Sequence, residues 1–333
     1  MRLIKPARLL TLALLGGLAG SVYAGGVPDS ERITLSHFYD QTGGAGWIRD
    51  DNWGGAPGSE CSFFGVVCNS DQTHVIGLQL AQNQLTGTLP ADLNRLTNLT
   101  IFDVHSNALA GPIPPLTGLT NLTNFNVSSN ALNGSIPALT GLTSLTVFDA
   151  AHNQLDGSIP ALTGLTNLTE FFVDDNQFTG PIPALTGLAN LDFFSVTGNQ
   201  LEGPIPALNG LTNLGTFYVD ENQLSGPIPA LTGLTNLRIF DVDTNALSGS
   251  IPALDDLTAL RRIDVGHNRL TGSVPAPPNP AAFGEGASNL CPNPLDLTPS
   301  VNDDFWNFAT GFMPWWKGPN ECEDVLFEND FEL

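Results

Sequence analysis

LTNFNVSSNALNGSIP, residues 122–137, is the stretch whose reading decides the fold. Its fixed points are Leu122, Phe125, Val127, Asn130, Leu132, Gly134, Ile136 and Pro137. The asparagine returns at Asn83, Asn107, Asn130, Asn153, Asn176, Asn199, Asn222, Asn245 and Asn268, with a first step of 24 residues and seven further steps of 23. So constant a period is the mark of a solenoid, in which each copy is one unit that stacks on the next.

Inside the phrase the alternation of side chains predicts a short parallel strand, with Phe125 and Val127 inward and Asn124, Asn126 and Ser128 outward. The asparagine stands where the chain leaves that strand, and its amide can satisfy backbone groups that no strand partner reaches. Glycine lets the backbone bend, Ile-Pro holds an extended segment, and an apolar return follows, Leu139 to Leu145 in the next copy. The second core position is Phe102, Phe125, Phe148, Phe171, Phe194, Phe217 and Phe240, giving way to Ile263. Their inward parity makes them a stacked spine rather than a binding stripe.

The Leu-x-x-Leu-x-Leu-x-x-Asn-x-Leu core with its trailing Leu-x-Gly-x-Ile-Pro resembles the plant-type leucine-rich repeat. That resemblance covers about 200 residues. It implies an α/β repeat solenoid, a right-handed superhelix with a parallel concave β-sheet and a cap at each end. It is similar to polygalacturonase-inhibiting proteins and receptor ectodomains, which bind proteins, peptides or glycans. Nine repeats are expected over residues 76–275.

Outward from the array, Met1 to Ala24 carries Arg2, Lys5 and Arg8, then an apolar run and a small-residue cleavage site, which reads as a secretory signal peptide. Nothing later approaches 18 consecutive apolar residues, so no membrane span is expected. Residues 25–75 resemble the amino-terminal cap of the family through LSHFYDQTGGAGW, NW and CSFFGVVC. Ser30 is the expected cap of a short helix that turns Ile33, Leu35, Phe38 and Tyr39 inward. Residues 276–333 then hold a carboxy-terminal cap and an acidic tail, the repeat dissolving after Pro275 into Pro-Ala-Pro-Pro-Asn-Pro. Of the three pairings open to Cys61, Cys68, Cys291 and Cys322, the within-cap set is preferred, Cys61 with Cys68 and Cys291 with Cys322. Phe305, Trp306, Phe308, Phe312, Trp315 and Trp316 form either a lid over the last coil or a sugar-stacking platform. The closing Asp324 to Leu333 is either a sorting tag or a frayed end.

Eleven basic against 33 acidic residues give a net charge of -22, which argues against nucleic acid or an anionic membrane as partner. Chemistry is absent from the pattern too: His37, His74, His105, His152 and His267 are scattered, and no nucleophile or metal arrangement is recognisable. The expectation is a secreted or surface-bound, non-catalytic monomer that binds an extracellular protein or polysaccharide and needs no cofactor. The alternative is a structural or adhesive envelope protein. Inhibition of a wall-degrading hydrolase, and ice binding by threonine columns such as Thr117, Thr140, Thr163 and Thr186, rank lower. Sequons at Asn98, Asn121, Asn126, Asn133 and Asn167 follow partly from the repeated Thr-Asn-Leu-Thr phrase.

The candidate binding site comes from the outward strand positions. Phe172, Phe193 and Tyr218 are expected to be exposed by parity, beside Glu170, Asp174, Asp220, Asp241 and Asp243. Aromatic anchors in a polar rim have the composition of a binding hot spot. Carboxylates about 5 Å apart on adjacent strands repel and call for compensation. Calcium is the cation that Asp220, Glu221, Asp241 and Asp243 would accept. Arg238, Arg261, Arg262 and Arg269 lie toward one end and are expected to pair with acids such as Asp241 and Asp264.

Overall fold

The computed structural model describes residues 26–284, 286–311, 313 and 315. The expected leader, Phe312, Trp316, Cys322 and the acidic tail lie outside the described residues. Nine parallel strands, from Val75–Gln79 to Arg262–Asp264, run side by side in one sheet, which Val66–Cys68 extends to ten by pairing antiparallel at its first edge. This is the parallel solenoid the period requires. The register is constant, so Phe125 lies opposite both Phe102 and Phe148.

That register stacks like on like. The rings from Phe102 to Phe240 follow one another at centroid distances of 5.3–5.7 Å with planes 10–17° apart, and they are buried. The leucines of the return segment, such as Leu139, Leu142 and Leu145, close the core from the other side.

The ladder asparagines do what the sequence anticipated, with a geometry that now has an address. Asn130 accepts the Leu109 amide of the previous coil at 3.0 Å and donates to the carbonyls of Val104, Val127 and Ser128 at 3.0–3.1 Å. Each rung therefore ties two coils together. A second sheet was not anticipated: nine short strands, from Thr86–Thr88 to Arg269–Leu270, pair in parallel just after the ladder. Gly134 and its equivalents leave this sheet at positive φ, 73° at Gly134, where a side chain would strain the backbone.

At the first end, the helix Asp29–Gln41 seals the spine by setting Phe38 edge-on against Phe102 at 6.2 Å. The helix begins behind Pro28 and makes no side-chain cap, so Ser30 lies inside it rather than before it. Leu35 and Phe38 are buried as expected, whereas Ile33 faces away from the core and stays 48% exposed. The buried Glu31 accepts the Val75 amide at 2.7 Å and meets His74 Nδ1 at 2.8 Å, which satisfies the start of the first parallel strand. Cys61 and Cys68 are disulfide-bonded, and Asn83 completes the first ladder rung by exchanging hydrogen bonds with the backbone of Arg49.

At the other end the repeat does not dissolve. Leu290-Cys-Pro-Asn-Pro-Leu295 repeats the Leu-x-x-Asn-x-Leu spacing after a proline-rich excursion, and Asn293 makes a tenth rung. Its side chain accepts the Leu270 amide and donates to the carbonyls of Val265 and Leu290, each at 2.8 Å. The helix Asp303–Thr310 then closes the array. Trp306 and Trp315 are buried, with Trp306 edge-on to Phe283 and Phe305, so these two indoles form a lid and offer no face for a sugar.

Candidate functional site

The outward side of the ten-stranded sheet carries two side-chain columns on the strands and a third just after them. In the register of the sheet Phe172 lies opposite Ser195, Ser195 opposite Tyr218, and Tyr218 opposite Asp241. Glu170, Phe193 and Thr216 alternate in the neighbouring column. From Phe193 and Ser195 to Thr216 and Tyr218, large side chains thus alternate with small ones both along and across the strands. The three rings lean together across the gaps, Phe172 to Phe193 at 4.7 Å and Phe193 to Tyr218 at 5.7 Å, with planes tilted by 45–46°.

This contact corrects the expectation of exposed rings. Phe172, Phe193 and Tyr218 are half-buried because they cover Ser195, 4% exposed, and Thr216, 5% exposed. The result is a continuous aromatic strip with one face open. Parity places Ser195 and Thr216 on the same outward face as the rings but does not show that the rings cover them; the large-small alternation between adjacent copies was the available signal.

Beneath and beside the strip runs a hydrogen-bonded acidic line. Asp174 accepts the Ser195 hydroxyl, and the Thr197 amide at 3.1 Å. The Thr197 hydroxyl donates to Asp220 at 2.6 Å. Burial pushes the carboxyls of Asp174 and Asp220 above the usual range, and it does the same to Asp149. Glu170 borders the other side of the strip, half-buried.

Asp241 is not the surface carboxylate that the sequence implied, being only 5% exposed. Arg262 reaches it at 3.1 Å but also donates from Nε to Asp264 at 2.6 Å. One guanidinium therefore serves two carboxylates. Asp264 takes the closer contacts, and Asp241, buried and facing Asp220 and Asp264, is pushed up to about 8. Burial likewise raises Asp264 and the Tyr218 hydroxyl. Arg238 pairs elsewhere, with Asp192 at 2.9 Å.

The acids weighed for calcium do not converge. Asp241 is engaged by Arg262, while Asp243 faces His267 at 3.2 Å and accepts the Thr244 hydroxyl at 2.8 Å. Among the described residues no group of three or more His, Cys, Asp or Glu side chains is placed to hold a metal ion. Each of the five histidines instead sits beside one carboxylate: His37 by Asp92, His74 by Glu31, His105 by Asp103, His152 by Asp175 and His267 by Asp243. Cys291 is buried and is not a free thiol, while Cys322 lies outside the described residues. Among the described residues no helix is long and apolar enough to cross a membrane.

Comparison with known proteins follows the same lines. No protein-family model matches the chain. A receptor-like kinase of Arabidopsis thaliana, TMK2, is 40% identical over 67 residues, which are 20% of this chain and 7% of that relative. Among solved structures, the leucine-rich-repeat ectodomain of the plant membrane receptor kinase GASSHO1/SCHENGEN3 from Arabidopsis thaliana, in complex with Casparian strip integrity factor 2, superposes with a TM-score of 0.63 at 30% identity. It covers 79% of this chain and 35% of its own. The ectodomain of the Arabidopsis receptor kinase HAESA, bound to an extended IDA peptide hormone, gives a TM-score of 0.62 at 27% identity over 79% of this chain and 50% of its own. The chain thus spans a small fraction of the curated relatives it matches and half or less of these two ectodomains.

Proposed function

We propose that this plant-type leucine-rich-repeat protein, similar in structure to receptor ectodomains, is an exported, non-catalytic recognition module that holds a cationic segment of a partner protein on its concave face. The observation that carries the reading is the continuous strip of Phe172, Phe193 and Tyr218. Outward rings that spend only part of their surface on one another keep an open apolar face, and a rigid sheet holds them in place without further ordering cost. Asp174, Asp220 and Glu170 beside the rings favour a positive group over a negative one, and rings attract cations through their faces. The net charge of -22 steers a basic partner in the same direction. Binding of a peptide hormone by the HAESA ectodomain supports the use of this fold for such work.

The test is capture of secreted proteins by residues 25–333, run beside a variant carrying Phe172→Ser, Tyr218→Ser, Asp174→Asn and Asp220→Asn. Loss of a basic partner from the variant, with its melting temperature within a few degrees of the parent, is the expected result. Equal capture by both proteins would move the site away from the strip and favour a structural or adhesive role.

A further inference from the structure

A second surface runs alongside the concave face, along the edge where the strands of the ten-stranded sheet begin. It is an open groove of about 810 Å3 whose floor carries one asparagine per coil: Asn167, Asn190, Asn213 and Asn236. Each is solvent-exposed yet fixed. Their Nδ2 groups donate to the carbonyls of Thr143, Thr166, Ala189 and Thr212 in the preceding coil, at 2.8–2.9 Å. The carbonyl partner also settles which way each amide points, leaving an Oδ1 acceptor and a second N–H for a ligand.

We infer that this groove binds a neutral, hydroxyl-rich polysaccharide in an extended conformation. Spacing is the first reason. Successive coils present equivalent amides at about 4.8 Å, the separation of neighbouring strands, so the four asparagines span about 14 Å. The rise per residue of an extended β-1,4-linked pyranose chain is close to that step, and because alternate residues of such a chain are turned over, every second sugar presents the same face to every second coil. An extended peptide advances about 3.3 Å per residue, so its two-residue repeat of about 6.6 Å matches neither one coil nor two and falls out of register.

Charge is the second reason. Asp192 and Arg238 enter the groove but neutralise each other at 2.9 Å above Gly215, where even a Cβ would come within 2.3 Å of both side chains. Among the described residues Arg261 is the one groove cation without an ion pair. One guanidinium does not offset a chain of net charge -22, so a polyanionic polymer is repelled. Pinned neutral amides are the donors and acceptors that remain, and fixing them in advance removes the ordering cost of binding.

Affinity electrophoresis of the full chain, produced without N-glycans because Asn167 heads a sequon, tests this in gels containing β-glucan, xylan, mannan or polygalacturonate. Retardation by at least one neutral polymer is expected. The triple variant Asn190→Ala, Asn213→Ala, Asn236→Ala should weaken it at least about tenfold, as the loss of three sets of neutral hydrogen bonds requires. Asn213→Gln, which keeps the amide but displaces it, should weaken it less and gives a readout if the triple variant fails to fold. The strip variant of the preceding section should be retarded as the parent is, which separates this groove from the concave site. No retardation by any neutral polymer, retardation by polygalacturonate alone, or equal retardation of parent and asparagine variants would each overturn the inference.

Discussion

Two arrays of rings lie on opposite faces of the same strands, and they obey different rules. Inside, the spine from Phe102 to Phe240 takes one ring from every coil at one position, so the rings stack nearly parallel and none meets water. Outside, Phe172, Phe193 and Tyr218 come from alternating columns of three consecutive coils and meet at 45–46°. Identical copies can produce the first array and cannot produce the second. Where the phrase is repeated faithfully it builds the scaffold; where one copy departs from its neighbours at an outward position, the contacts it makes are local ones that the repeat does not require.

Phe193 and Phe194 put that contrast into adjacent residues. Phe194→Ala should be the most damaging single change, about 3–5 kcal/mol by denaturant unfolding, because it opens a cavity between two stacked rings in a fully buried core. A loss below about 1 kcal/mol would mean that the spine collapses around the gap and is no better packed than the strip. Next in size is the ladder that both arrays depend on. Asn199→Ala removes the acceptor for the Phe178 amide and the donor to the carbonyls of Val173, Val196 and Thr197, in a side chain that is 8% exposed. Leaving such buried groups unpaired costs about 2–3 kcal/mol, and the same unfolding measurement reads it.

What the sequence made legible follows from this division. Parity and period place every spine ring, every ladder asparagine from Asn83 to Asn268 and the outward rings themselves, since each needs only position within one copy. Features that arise between copies were hidden. The half-burial of the strip depends on Ser195 and Thr216 being small beside large neighbours, and the burial of Asp241 depends on an arginine one coil away that it must share with Asp264. Of the groove asparagines the sequence marked Asn167 alone, as a sequon; the row is defined by carbonyl partners 24 positions back in the preceding coil. Asn293 was hidden by spacing alone, because the proline-rich excursion puts the tenth rung out of step.

A smaller effect distinguishes the outer face from the core by its response to pH. Asp241, raised to about 8, holds its proton more tightly in the folded chain than in the unfolded one, where it titrates in the ordinary aspartate range. Between those two values the folded state binds the extra proton, so stability falls as pH rises, the reverse of an ion-paired carboxylate of depressed pKa. Asp149, Asp174, Asp220 and Asp264 act in the same sense. The melting temperature should drop by several degrees from pH 5 to pH 8.5, and Asp241→Asn should flatten the part of that slope above pH 6. A slope that rises with pH would show that Arg262 keeps Asp241 ionised after all.

Phe193→Ser should cost least, about 1 kcal/mol or less, since it removes two tilted ring contacts that are open to water on one side and leaves the backbone register intact. Its value lies in the pairing with Phe194: neighbouring residues of one strand, the same ring, opposite faces. If the outer substitution were as damaging as the inner one, the strip would be a piece of core that surfaced, and its rings would need no ligand to explain them. If it is nearly silent in unfolding yet abolishes capture of a basic partner, the cost of keeping three rings at the surface is set against binding and not against folding. The two measurements on Phe193 therefore decide between those readings with a single variant.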